Sequence, residues 1–262
     1  MLKRTLVSTI FTLTLIFVAV QAFATEGFDY IPDENTLALW HFDNDDGDNI
    51  IDSSPNKFNG TVEGKADWGD EGWKKDGIVG KSFLFDGTTV INVGKIKELV
   101  SPDEITVEAW VNPSDLSGWK LICCNWGGAV VGAYHLGVEA GVPKLHITNA
   151  AGVTTFAAAV APLNVDEWQH VAGTYDGKSV KIYVNGELAN EANASGALKD
   201  NDMDIVIGSK DSREFQWKGR IDEVRISKIA RDPKELSPNM TAPMAVKPAN
   251  KLATTWADVK AF

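Results

Sequence analysis

The chain has 262 residues, 44% of them hydrophobic, with 9 Trp and 11 Phe, which is enough to build a sizeable core in one or two domains. Its formal net charge of -11 excludes the basic surface that non-specific nucleic-acid or anionic-membrane binding requires. The only cysteines, Cys123 and Cys124, have neither metal-knuckle nor redox spacing. Strand alternation sends them to opposite faces, one expected in the core and one exposed, without a mutual disulfide.

Taken in chain order, Lys3 and Arg4 precede an apolar run over residues 6–20, and the segment ends Ala22-Phe23-Ala24. That is the layout of an export signal cleaved after Ala24. The run is short for a bilayer span and is interrupted by Ser8, Thr9, Thr12 and Thr14, which argues against a transmembrane anchor. The expected location is therefore outside the cell or in its envelope. Residues 25–35 read as a lead into the domain.

From residue 36 the pattern is short strands separated by turn signals. A strand is expected at 36–42, followed by the acidic loop 43–48 and a tight turn at Asp52-Ser53-Ser54-Pro55-Asn56. Further strands are expected at 59–62, 82–85 and 90–93. Residues 105–111 (ITVEAWV) alternate with period two, placing Val107, Ala109 and Val111 on one face and Glu108 and Trp110 on the other. Strands at 134–138 and 144–148 flank Gly141-Val142-Pro143, and strands at 168–175 and 179–184 flank Asp176-Gly177-Lys178. Asn185-Gly186 turns the chain into 187–192, because both residues tolerate positive φ. Strands at 205–208 and 219–226 complete the set, and 233–236 reads as one helical turn. Roughly a dozen strands at this spacing, without βα alternation, predict an all-β fold of two stacked antiparallel sheets. The Pro- and Ala-rich segment 237–262 reads as a tail, with Leu252, Trp256, Val259 and Phe262 near helical spacing.

Several of these segments follow a recognisable order. It begins with LWHFD at 39–43, the turn Asp52 to Asn56 with Gly60 shortly after, GKSFLFDG at 80–87 and ITVEAWV at 105–111. WQHVAGTYDG at 168–177, IYVNG at 182–186, Ile207-Gly208 and GRIDEVRI at 219–226 continue it. The series resembles a laminin G-like domain of the concanavalin A-like jelly-roll superfamily over residues 36–236. The resemblance implies a jelly-roll sandwich and a secreted binding module for carbohydrate or a cell-surface protein. An envelope adhesion scaffold or a glycoside hydrolase are the alternative readings.

Similar jelly rolls hold a structural calcium between an early loop and the last strand. In this chain Asp222, Asp43 and Asp52 are the candidate ligands, with the rest of the acidic loop 43–48 as a further oxygen source. In the last strand Asp222 shares a face with Val224 and Ile226 by alternation, so its carboxylate needs a partner. Hydrogen bonding of Asp222 and a solvated acidic loop are the competing reading. No close carboxylate pair on one strand, Gly-x-Ser-x-Gly or His-Glu-x-x-His marks catalysis, so no catalytic residue is assigned. His41, His135, His146 and His170 are isolated in the sequence. Trp68, Trp73, Trp119, Trp126 and Trp217 are read as loop-borne, and Trp40, Trp110 and Trp168 as strand residues with packing roles. Trp119 and Trp126, flanking the cysteine pair, are the preferred ligand-binding rings; their competing role is to plug the ends of the sandwich.

Overall fold

The computed structural model describes residues 30–43, 47–69, 81–99, 102–126, 132–200 and 202–236. The export signal, most of the lead, residues 44–46, Trp73 and the tail 237–262 lie outside the described residues. In chain order the strands are β1 (Thr36–Trp40), β2 (Asn49–Ile50), β3 (Gly60–Glu63), β4 (Trp68–Gly69), β5 (Ser82–Asp86) and β6 (Val90–Gly94). Next come β7 (Ile105–Pro113), β8 (Trp119–Cys124), β9 (Tyr134–Glu139), β10 (Val142–Thr148) and β11 (Thr154–Ala158). The series ends with β12 (Gln169–Tyr175), β13 (Ser179–Val184), β14 (Glu187–Asn193), β15 (Ile205–Ile207) and β16 (Lys218–Ser227). Every strand expected from the sequence is present. The sequence missed β2, β4, β8 and β11, and 233–235 forms a one-turn 3-10 helix, Pro233–Glu235.

The strands form two antiparallel sheets that stack as a jelly-roll sandwich. The first runs β14-β13-β12-β7-β16-β5-β4, with β1 paired to β16; the second runs β11-β10-β9-β8-β15-β6-β3-β2. Val107, Ala109 and Val111 of the first sheet meet Leu136, Val138, Leu145 and Ile147 of the second in one continuous core. Gly173 lets the layers close up, since a Cβ there would lie 2.7 Å from Leu145 Cβ. Tight turns come from local chemistry: the Asp176 carboxylate accepts from the backbone N–H groups of Lys178 and Ser179, fixing the bend before β13.

Two expectations about faces are corrected. Cys123 and Cys124 are both fully buried free thiols. Cys123 packs into the core, whereas Cys124 lies under the 208–217 segment and approaches Ser209 O at 3.2 Å. In β16 the register shifts between Asp222 and Arg225, where Glu223 adopts φ 51. This bulge places an extra residue in the strand. Val224 and Ile226 therefore face the core, while Asp222 sits opposite Trp110 on the outer face.

Asp52 holds the first strand to the following turn. Its Oδ1 accepts from the N–H groups of Leu39 (2.9 Å) and Ser54 (2.8 Å), and its Oδ2 from Ser54 Oγ (2.7 Å) and Phe58 N–H (2.8 Å). Replacing Asp52 with Ala strands three backbone donors in the interior. Urea unfolding of Asp52→Ala is expected to show a loss of about 3 kcal/mol; an unchanged midpoint would show that the turn holds without it.

Candidate functional site

The outer face of the second sheet carries a row of rings built by cross-strand register. Alternation sends Leu136, Val138, Leu145, Ile147 and Ala157 inward, leaving His135, Glu139, Lys144, His146 and Phe156 outward. His135 is paired with His146, and His146 with Phe156, so the three rings stand side by side. Their centroids are 4.3 Å and 4.7 Å apart with nearly parallel planes. Trp126 continues the stack beyond His135 at 4.6 Å. Trp119, at the head of β8, lies against both imidazoles at 5.9 Å and 5.3 Å, and Phe215 lies near both indoles.

Polar groups fix this surface. Glu139, the cross-strand partner of Trp119, is ion-paired with Lys144. The Lys144 ammonium lies 5.5 Å from the Trp119 ring and 5.2 Å from Phe156. On the other side Lys210, buried and paired with Glu214, lies 5.0 Å from both Trp126 and Phe215. Phe215 has φ 59, a left-handed conformation that costs a bulky residue about 1–3 kcal/mol. It is held there by its carbonyl, which accepts from Leu121 N–H at 2.8 Å. The Nε2 atoms of His135 and His146 are buried without a hydrogen-bond partner. The result is a half-buried indole platform backed by neutral imidazoles and flanked by two lysine–glutamate pairs, suited to stacking a ring and hydrogen-bonding its substituents.

Of the residues chosen from sequence, the structure brings Trp119 and Trp126 to this one face, although Trp119 belongs to a strand rather than a loop. Trp217 does lie in the loop before β16 but is fully buried, and Trp68 sits in β4 edge-on to Phe83, so neither is an exposed loop ring. Trp40 is core, and Trp110 packs on the other outer face with Trp168 beside it. Sequence reasoning missed His135, His146, Phe156, Phe215, Lys144 and Lys210. The hairpin register pairs the first two directly, a signal available once the turn is placed at Ala140-Gly141.

Asp43, Asp52 and Asp222 do not assemble. Asp52 is committed to the four hydrogen bonds above, Asp43 accepts from Lys81 N–H at 2.8 Å, and Asp222 accepts from the Glu223 N–H at 2.9 Å. Among the described residues, no group of three or more His, Cys, Asp or Glu is placed to hold a metal ion. The three aspartates therefore do not fit a common calcium ligand set.

The outer face of the first sheet carries a second polar cluster, sealed from solvent. Glu108 lies fully buried with Arg225 Nε at 2.7 Å from its Oε1, and with the Tyr30 hydroxyl (2.9 Å) and His170 Nε2 (3.1 Å) at its Oε2. The Arg225 guanidinium lies 4.1 Å from the Tyr30 ring centroid and donates to Glu235 O at 2.7 Å. Glu223 holds His41 Nδ1 at 2.8 Å. Residues near both ends of the described chain thus cover this face.

The family model described as the concanavalin A-like lectin/glucanases superfamily (Laminin_G_3) matches residues 85–237. No curated protein matches the chain. Among solved structures, domain 4 of AbnA, a GH43 extracellular arabinanase from Geobacillus stearothermophilus in complex with arabinotriose, is similar at TM-score 0.63 and 21% identity. That match covers 78% of this chain and 97% of the other. The binding domain of Paraclostridial Mosquitocidal Protein 1 is similar at TM-score 0.63 and 16% identity, covering 79% and 52%. The binding domain of Botulinum Neurotoxin DC in complex with SialylT is similar at TM-score 0.56 and 12% identity, covering 79% and 50%. The chain spans about half the length of these two toxin domains. Likeness at such identities establishes the shared fold. Among the described residues no helix is long and apolar enough to cross a membrane.

The two clusters predict two windows of acid destabilisation. Burial, with Lys144 adding and Glu139 opposing, holds His146 at about 4 against an ordinary 6.5; burial and His146 hold His135 well below 6.5. The unfolded chain takes up protons below 6.5 that the folded chain refuses, so stability falls as pH drops from 6.5 towards about 4. Burial pushes the Glu108 carboxyl up, but Arg225 and His170 outweigh it and hold it at about 2 against 4.5. Its contribution, of the order of 3 kcal/mol, is full above 4.5 and is lost as pH falls towards about 2. Thermal midpoints across this range are expected to fall in both windows, with His146→Gln flattening the upper one. A flat upper limb in the unaltered protein would contradict the assignment to the histidine pair.

Proposed function

The chain belongs to the concanavalin A-like lectin/glucanases superfamily, and from that premise we propose that it is a secreted, non-catalytic module that binds carbohydrate on the aromatic face of its second sheet. The observation that carries this reading is the Trp119 platform: a partly exposed indole paired across the strands with Glu139, backed by stacked His135 and His146, with Lys144 beside it. The apolar C–H face of a sugar ring stacks on such an indole, and its hydroxyls find donors and acceptors in the flanking ion pairs. Trp126 and Phe215 extend the platform towards Lys210. The complexes with arabinotriose and with SialylT among the similar structures support carbohydrate as the ligand class. The export-signal pattern of residues 1–24 supports secretion. Burial supports the non-catalytic reading: Glu108 and Glu223 are shut beneath Tyr30 and tied to Arg225, His170 and His41.

A structural calcium is proposed only for the acidic loop 43–48, with Asp43 as its described edge, since Asp52 and Asp222 are engaged elsewhere. Calcium that raises the melting midpoint, with Asp43→Asn weakening the rise, would support the loop site; coincident curves with calcium and with chelator would remove it.

Calorimetric titration with arabino-oligosaccharides and sialylated oligosaccharides, followed in parallel by Trp fluorescence, tests the binding face. Trp119→Ala is expected to weaken whichever class binds by roughly 30-fold, about 2 kcal/mol, with an unchanged thermal midpoint. Absence of saturable binding to either class, or full affinity in Trp119→Ala, overturns the reading.

A further inference from the structure

The second sheet ends in an edge strand that lacks the guards found on the other edges. β2 and β4 are two residues long, and the β14 edge carries Glu187 and Glu191 with a bulge against β13. Short strands, charges and bulges are the usual devices that stop an edge from pairing with another chain. β11 has none of them in its own residues, although β14 of the first sheet lies against it and Asn190 reaches its outer side. No Asp, Glu, Lys or Arg occurs from Asn149 to Val165, and Val153, Phe156 and Val160 along this segment are exposed.

The hydrogen-bond phase shows which backbone groups face outward. Ala159 N–H donates to Pro143 O at 2.8 Å, and Val153 O accepts from Asn149 N–H at 3.0 Å, so the odd-numbered residues bond to β10. The N–H and C=O groups of Thr154 and Phe156, and the N–H of Ala158, therefore point out of the sheet. The Ala158 carbonyl is capped by Asn190 Nδ2 at 2.8 Å.

We propose that this edge pairs antiparallel with the β11 edge of a second copy of the chain, about a two-fold axis through Phe156. In that register Phe156 lies opposite Phe156 of the second copy, the two exchange both backbone hydrogen bonds, and Thr154 lies opposite Ala158. Two observations favour a second copy over another occupant. First, the ring row Trp126–His135–His146–Phe156 advances by 4.6, 4.3 and 4.7 Å and stops at a half-exposed ring. A strand added at the usual spacing of about 4.8 Å sets the next Phe156 ring one step further, joining two rows into one. Second, each chain carries a net charge of -11, so like copies approach most readily along segments without charge, and residues 149–165 carry none. The interface is short, so the dimer dissociates on dilution. The pairing does not depend on what the aromatic face binds.

Sedimentation velocity on the purified protein from about 1 µM to about 1 mM tests the pairing. The expected result is a monomer–dimer equilibrium. It should be abolished by Phe156→Lys, which sets like charges opposite each other, and by Ala158→Pro, which removes only an outward N–H. Both variants should keep the wild-type melting midpoint; where one fails to fold, the other decides. A wild-type chain that stays monomeric throughout, or dimers that persist in both variants, overturns the proposal. Monomeric protein whose Thr154 and Phe156 amides resist hydrogen exchange until residues 237–262 are removed overturns it too, and gives the edge to that segment.

Discussion

The two-residue turn at Ala140-Gly141 sets the register on which the whole aromatic face depends. Both residues have positive φ, 49 and 81, the combination whose twist matches that of paired strands. With the turn there, Val142 meets Glu139, and every later pair follows, including Lys144 with Gly137 and His146 with His135. A slip of one residue would send the two imidazoles to opposite faces. The ring row would break at its centre, and Trp119 would lose its backing. Gly137 belongs to the same constraint: a Cβ there would lie 2.4 Å from Lys120 O, and it sits at the irregularity in β8 between Leu121 and Cys123.

The two outer faces have opposite electrostatic characters, and the difference comes from what covers them. On the first sheet, the bulge at Glu223 re-aims the strand so that Arg225 stands opposite Glu108. Arg225 also reaches the Glu235 carbonyl, and Tyr30 closes over the pair. A buried ion pair contributes little net stability by itself, but removing one partner is costly, so this cluster ties Tyr30 and Glu235 to β7 and β16. On the second sheet His135 is buried beneath its neighbours, but Trp119, Trp126 and Phe215 stay partly exposed, and the charges there are two lysine–glutamate pairs. One face is closed over its ion pair by Tyr30 and the Glu235 carbonyl; the other keeps partly exposed rings within a polar border, an arrangement that fits the proposed binding face.

Strand identity was legible because turn chemistry is local. Asp86-Gly87, Asp176-Gly177 and Asn185-Gly186 announce their bends through side chains that bond the backbone two or three residues on, or through residues that tolerate positive φ. β8 and β11 were missed for different reasons. Gly118 and the Cys-Cys step made the segment around Trp119 read as a loop, and β11 is short and runs into the alanine-rich stretch 157–161, whose β propensity is low. The candidate binding rings were half legible: Trp119 and Trp126 stand out by size, but their partners depend on pairings between strands. Placing the bend at Gly141-Val142-Pro143 rather than Ala140-Gly141 hides the His135–His146 pair. Asp222 was misplaced because alternation, read through Glu223, cannot register an inserted bulge residue.

Strain and neutrality then separate what the fold needs from what its surface is for. The core needs no left-handed phenylalanine at Phe215, no buried lysine at Lys210 and no exposed phenylalanine at Phe156; each lowers stability or solubility where it stands. All three sit on the open face of the second sheet, within one ring of Trp119, Trp126 or His146. Departures from local rules that gather in one place, around stacked rings flanked by ion pairs, fit a surface shaped by something besides folding. The sealed cluster on the first sheet is also polar and buried, but its charges are paired and covered, so its departures are explained by the architecture. Those of the second sheet have no such cover and fit the binding face proposed there.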